Sequence, residues 1–267
     1  MLLSLHQLET RLFKMSQHKA GIIIQARTGS VRLPGKMTLP FYNGQNLLEL
    51  MINDFGTVAG DVPFVVATTT LADDDIIVRI CEQNNVAFFR GSSSDVLARF
   101  IGAAHQFGFD SLVRVCADNP FFDLTSTLKL ASFQMETGVD YAGFSMNGIP
   151  SIKTHIGLWG EAVSLSALEK SAGLTNEPLY REHVTNYVYS NPEVFNIHLM
   201  EAPFALGNRN DLRFTLDTNE DFMLHQQLYS KLAETGSLKN YAQLVGIVDD
   251  NPVYRQRMFE QILKNTK

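Results

Sequence analysis

The chain has 267 residues, 45% hydrophobic and 19% charged, which fits a large globular domain and excludes a disordered, collagenous or coiled-coil protein. Lys and Arg number 22 against 28 Asp and Glu, a net charge of −6, so a general nucleic-acid binder is excluded while a local basic patch for a small anion is not. Two cysteines, Cys81 and Cys116, are too few for a disulfide framework or a four-ligand zinc site and read as reduced thiols of a cytoplasmic protein.

No run of about 18 apolar residues occurs, so no membrane insertion is expected. Residues 1–19 read as a dispensable N-terminal extension, with Met15 standing just before the first strong strand pattern. The β-branched run 21–26 predicts a buried strand, 46–55 a helix, and 63–69 a second strand. Three acids open a helix over 73–85, followed by a strand at 86–91. A helix over 94–108 is capped by Ser94 or Asp95 and stops near Gly108; 111–118 is a strand, 124–138 a helix and 139–144 a strand. From 145 to about 190 the pattern turns loop-like and reads as an inserted arm, with helices from Glu161 to about 171 and around 180–189. Strands at 195–200 and 212–217, a helix from Asn219 and a helical tail over 237–267 complete the chain. This alternation predicts an α/β fold with a mostly parallel central sheet flanked by helices, formed as a single domain over 20–267. Ligands of such sheets bind beyond the carboxyl ends of the strands.

The loop after the first strand, Gln25-Ala26-Arg27-Thr28-Gly29-Ser30-Val31-Arg32-Leu33-Pro34-Gly35-Lys36, holds two glycines and three cations. Glycines let backbone N–H groups approach an anion, and Arg and Lys supply charge, so the loop reads as a polyphosphate site. It is not a P-loop: five residues separate Gly29 from Gly35, and Met37 follows Lys36. No Rossmann glycine fingerprint is present either. The plainer alternative is a solvated turn with scattered charge.

Asp118 and Asp217 each follow an apolar segment and should emerge at the rim of the sheet. Two carboxylates from different segments can share Mg²⁺, whose remaining positions go to water and phosphate oxygens. The alternative is that Asp217 caps the following helix and Asp118 opens a turn.

These segments resemble a known family. Gln25-Ala26-Arg27, Gly29-Ser30, Arg32-Leu33-Pro34-Gly35-Lys36, Asp95-Val96-Leu97-Ala98-Arg99, Ala117-Asp118-Asn119-Pro120, Arg181-Glu182-His183-Val184-Thr185 and Leu216-Asp217-Thr218 are similar to the cytidylyltransferase family of the SpsF (spore coat polysaccharide biosynthesis) type. That family is related to the acylneuraminate and 3-deoxy-manno-octulosonate cytidylyltransferases. The resemblance covers roughly 20–230 and implies a glycosyltransferase-A-like nucleotidyltransferase fold, CTP as substrate, Mg²⁺ on Asp118 and Asp217, and a homodimer. It further implies that Arg27, Arg32 and Lys36 hold phosphates, that Gln25, Ala26, Gly29 and Ser30 surround the nucleotide, and that Thr68, Thr69, Ser94 and Asp95 approach it. His155, Glu161, Arg181, Glu182 and His183 become acceptor-site candidates, each with a structural alternative. The sequence departs from the family at Asn119, where a Cys is usual, and over His155–Glu161, where Trp159 stands near a usual Asp.

The expected function is therefore cytidylyl transfer from CTP to a sugar or sugar phosphate in surface polysaccharide or glycan synthesis, with Arg27, Lys36, Asp118 and Asp217 as catalytic residues. Two alternatives stand beside it. One is a glycosyltransferase using a nucleotide sugar, which would need an Asp-x-Asp metal motif that only Asp73-Asp74-Asp75 supplies. The other is a degenerate relative that binds a nucleotide without turnover.

Overall fold

In a computed structural model, residues 19–60, 62–203, 206 and 209–265 are described. The expected extension therefore lies, up to residue 18, outside the described residues. Chain order runs β1 (Ala20–Gln25), β2 (Pro40–Tyr42), β3 (Gln45–Asn46), α1 (Leu47–Val58), β4 (Phe64–Thr69), α2 (Asp75–Gln83), β5 (Phe88–Gly91), α3 (Val96–Phe107) and β6 (Ser111–Cys116). It continues with α4 (Leu124–Thr137), β7 (Tyr141–Met146), β8 (Ile149–Pro150), β9 (Glu161–Ser164), α5 (Leu165–Leu174), α6 (Pro178–Glu182) and α7 (Asn186–Ser190). β10 (Ile197–Glu201), α8 (Asn219–Glu234), α9 (Tyr241–Asp249) and α10 (Pro252–Lys264) complete it.

The main sheet has the order β10-β7-β9-β6-β1-β4-β5, with β8 paired to β7. β6, β1, β4 and β5 run parallel, as do β10 and β7, whereas β9 is antiparallel to both of its neighbours. Side-chain alternation explains the helices on both faces. Ile22 and Ile24 of β1 face a core shared with α1 and α8, and Ile23 faces another shared with α3 and α5.

Local chemistry sets the helix ends. Asp95 rather than Ser94 caps α3, accepting from Ala98 N, and Gly108 closes it in the left-handed conformation. Asp123 caps α4 in the same way.

Three expected elements differ. Residues 161–164, expected to begin a helix, form the buried strand β9, and the helix starts only at Leu165. The region 180–189 is two short helices broken at His183–Thr185. Residues 212–217 form no strand, because Phe214 N and Thr215 N both donate to a single carbonyl, that of His155, instead of a neighbouring ladder. β9 fits beside β6 only because Gly160 precedes it: a Cβ there would lie 2.5 Å from the Arg114 carbonyl oxygen.

Candidate active site

The carboxyl ends of β1 and β6 open onto a two-lobed cleft. The smaller lobe, about 350 Å³, is lined by Gln25, Arg27, Ser30, Arg32 and Lys36 from the cationic loop. The larger, about 740 Å³, is lined by Lys153, Trp159, Leu179, Asn186 and Tyr189 among others. Arg32, Arg114, Cys116, Asp118, His183 and Asp217 line both.

The two acids meet at one lysine. Lys36 Nζ lies 2.5 Å from Asp118 Oδ2 and 3.8 Å from Asp217 Oδ1, and donates to the Leu216 carbonyl at 2.7 Å. Arg32 reaches Asp217 Oδ1 at 2.7 Å. Neither acid caps a helix. Thr218 caps α8, in a capping box with Asp221, and Asp123 caps α4, so both site carboxylates remain turned to the cleft. Their donor chemistry fits Mg²⁺: two hard carboxylates at a partly open rim, already gathered by a cation, with room for phosphate oxygens. Among the described residues no cluster of three or more His, Cys, Asp or Glu could hold a metal by itself.

Asp217 is anchored from behind. Arg213 is fully buried; its Nη2 donates to Asp217 Oδ2 at 2.9 Å, while Nε and Nη2 grip both oxygens of Asp221 at 2.8 and 2.9 Å. Burial works against the charge of Asp221, but the Arg213 fork holds its pKa down at about 2. His155 Nδ1 sits 2.6 Å from Arg213 Nη1, so this acceptor candidate belongs to the support of Asp217 and lines neither lobe.

The cationic loop is pinned by Asp74. Its Oδ1 accepts from Thr28 N at 2.6 Å and Thr28 Oγ1 at 2.7 Å, and its Oδ2 accepts from Thr69 Oγ1. Burial opposes the charge, yet these hydrogen bonds hold the Asp74 carboxyl below its ordinary pKa. Asp74→Ala should lower stability by about 2–3 kcal/mol and weaken pyrophosphate binding roughly tenfold in a calorimetric titration. Wild-type affinity would show that the loop holds its shape without the tether.

The other expected nucleotide residues are placed as follows. Ala26 is buried, and its N–H donates to the Ala67 carbonyl. Gly29 is exposed. Thr68 and Thr69 are buried and line neither lobe, because Thr69 is committed to Asp74 and Thr68 points into the protein. Ser94 and Asp95 also line neither lobe.

The acceptor candidates separate. Glu182 and His183 line the smaller lobe, and Glu182 Oε1 pairs with Arg27 at 3.2 Å. Glu161 is buried beneath the floor, where it binds Arg114, Tyr141 and Thr185. Arg181 turns away to Asp95, to the Ala172 carbonyl and to Asn176. Trp159 is buried against Phe144 at 5.3 Å, with its Nε1 donating to Asp123. Phe121 and Phe122 are core.

Arg114 and Cys116, absent from the candidates, line both lobes. The signal was a lone cation in the apolar strand Ser-Leu-Val-Arg-Val-Cys. Burial raises the pKa of Cys116 and keeps it a thiol.

A family model described as cytidylyltransferase matches residues 21–261. The spore coat polysaccharide biosynthesis protein SpsF of Bacillus subtilis is 30% identical over 86% of this chain and 94% of its own. A cytidylyltransferase structure from Leptospira borgpetersenii aligns with a TM-score of 0.77 at 31% identity, covering 90% of this chain and 97% of the other. The structure of a CMP:2-keto-3-deoxy-manno-octonic acid synthetase complexed with CTP aligns at 0.61 with 18% identity, covering 80% and 99%, and shares the fold. The family match over nearly the whole described chain and the relatives at 30% and 31% identity show that this chain belongs to the cytidylyltransferase family and is a nucleotidyltransferase.

Proposed function

We propose that the chain transfers a cytidylyl group from CTP to a small sugar or sugar phosphate, releasing pyrophosphate, in the synthesis of a surface polysaccharide or related glycan. The observation that most supports this is the meeting of Asp118 and Asp217 at Lys36, directly beside the Arg27–Arg32 loop. The cytidine and the sugar are supported by the relatives, one named for polysaccharide biosynthesis and another bound to CTP.

The chain's own groups account for much of the chemistry. Arg27, Arg32 and Lys36 each sit within salt-bridge distance of a carboxylate, namely Glu182, Asp217 and Asp118. A triphosphate entering the smaller lobe offers these cations oxygens of higher charge, and they grip the β- and γ-phosphates in line with attack from the larger lobe. The acceptor oxygen bonds to the α-phosphorus as the bond to pyrophosphate breaks, and the electron pair leaves on pyrophosphate. Mg²⁺ bound by Asp118 and Asp217 would supply further neutralisation of phosphate charge. A phosphate acceptor needs no base, whereas a hydroxyl acceptor must lose its proton.

The glycosyltransferase alternative is disfavoured by Asp73-Asp74-Asp75. Asp74 is spent on Thr28 and Thr69, and Asp75 pairs with Arg90 at 2.7 Å, so no Asp-x-Asp pair reaches the cleft.

The test is pyrophosphate release from each of the four NTPs with Mg²⁺, across a panel of nonulosonic acids and sugar phosphates. Release should require CTP and disappear in Asp118→Asn. Hydrolysis of a nucleotide sugar, with no pyrophosphate from any NTP, would sink the reading.

A further inference from the structure

β6 runs through the middle of the sheet between β1 and β9, yet carries a cation at its centre. Arg114 is only 8% exposed. Glu161 lies directly opposite in the β6–β9 register, with Oε2 2.6 Å from Arg114 Nη1. Burial opposes the arginine's charge, while Cys116 and Glu161 beside it hold the pKa above the ordinary guanidinium value.

The two partners are unequally satisfied. Glu161 Oε1 also accepts from Tyr141 Oη at 2.7 Å and Thr185 Oγ1 at 2.8 Å. Arg114 keeps capacity to spare. Among the described residues its buried Nε has no partner, and Nη2 reaches only the Cys116 sulfur at 3.4 Å, a weak acceptor. A buried ion pair contributes little to stability compared with apolar residues of the same volume, so folding does not account for this one.

Its position does. Arg114 lines both lobes, at the seam it shares with Asp118 and Asp217. In an in-line transfer the atom common to both lobes is the α-phosphorus, bonded to pyrophosphate on one side and attacked from the other.

We propose, building on the cytidylyl-transfer reading, that Arg114 binds a non-bridging oxygen of the nucleotide α-phosphate and is a catalytic residue. Glu161 holds one arm of the fork from beneath, leaving Nη2 to exchange the Cys116 sulfur for a phosphate oxygen. Arg114 stays protonated throughout; no bond to it forms or breaks, and its contribution is charge fixed in place before the reaction.

The test compares cytidine, CMP and pyrophosphate by calorimetric titration against the wild type, Arg114→Met, and the paired Arg114→Gln/Glu161→Gln variant, which strands no buried charge. The wild type should bind CMP roughly tenfold or more tightly than cytidine. That preference should shrink to about twofold or less in both variants while pyrophosphate affinity stays put. A merely structural role for Arg114 would weaken all three ligands together. A preserved CMP preference in either folded variant overturns the proposal. If neither variant folds, the Arg114 side-chain ¹⁵N resonances of the wild type decide: they should shift with CMP but not with cytidine, and no shift overturns the proposal. Failure of the wild type to bind either CTP or CMP would instead remove the cytidylyl-transfer reading itself, and this inference with it.

Discussion

Lys36→Met should lower CTP-dependent pyrophosphate release by about 10²–10³-fold, the usual cost of removing one preorganised charge from a developing transition state. The ammonium sits between two carboxylates and against the Leu216 carbonyl, so its loss leaves both acids facing the phosphates without their shared counter-charge. Methionine fills the volume of the lysine stem, and Asp217 keeps Arg32 and Arg213, so the melting temperature should move by only a few degrees. Steady-state release and a thermal melt on the same sample separate the two effects. Turnover within tenfold of wild type would show that Lys36 merely neutralises the acids in the empty cleft.

The second large effect is on folding. Arg213→Met should cost about 3–5 kcal/mol, because it leaves the buried Asp221 carboxylate without its fork and frees the back of Asp217. For a chain of this size that is a fall of roughly 10 °C in melting temperature. A melt within 3 °C or so of wild type would mean that water or another group takes over the pairing. The same core carries a pH signature. His225 is fully buried, its Nδ1 has no partner among the described residues, and burial pushes its pKa from 6.5 down to about 4. The unfolded chain therefore binds this proton first as pH falls. The stability that comes from keeping His225 neutral is intact above about pH 7 and drains away between about 6.5 and 4. Urea unfolding at pH 7.5 and pH 5 measures it, and His225→Gln should flatten the difference.

Much of this was legible in the sequence because it is local. Strand-helix alternation, a cap at Ser94 or Asp95 and the stop at Gly108 all follow from neighbours a few residues away. So does the cationic loop, whose three charges fall within ten residues. β9 was not legible. Its four residues include a buried glutamate and lead straight into a helix, and what makes them a strand is backbone pairing with β6 and β7, both well upstream in the chain. Residues 212–217 alternate like a strand, but Phe214 N and Thr215 N both turn to the His155 carbonyl in place of a ladder. The acceptor candidates divide on the same ground. His155 is absorbed by Arg213, 58 positions away, and Arg181 by Asp95, 86 positions away, and no periodicity encodes either partner. Arg114 was visible as an oddity within its strand, but its position at the seam of two lobes depends on the antiparallel insertion of β9.

The counter-charges of the cationic loop come from scattered places: Asp74 tethers it, and Asp118, Glu182 and Asp217 balance its cations. During synthesis on the ribosome, Arg27, Arg32 and Lys36 emerge early and wait through some 180 further residues for the last of these acids. A nascent chain can lay down β1 and β4 while these cations still lack their acids. The balance of charge in the cleft is thereby tied to completion of the fold, and until Asp217 is made the loop carries an uncompensated positive charge.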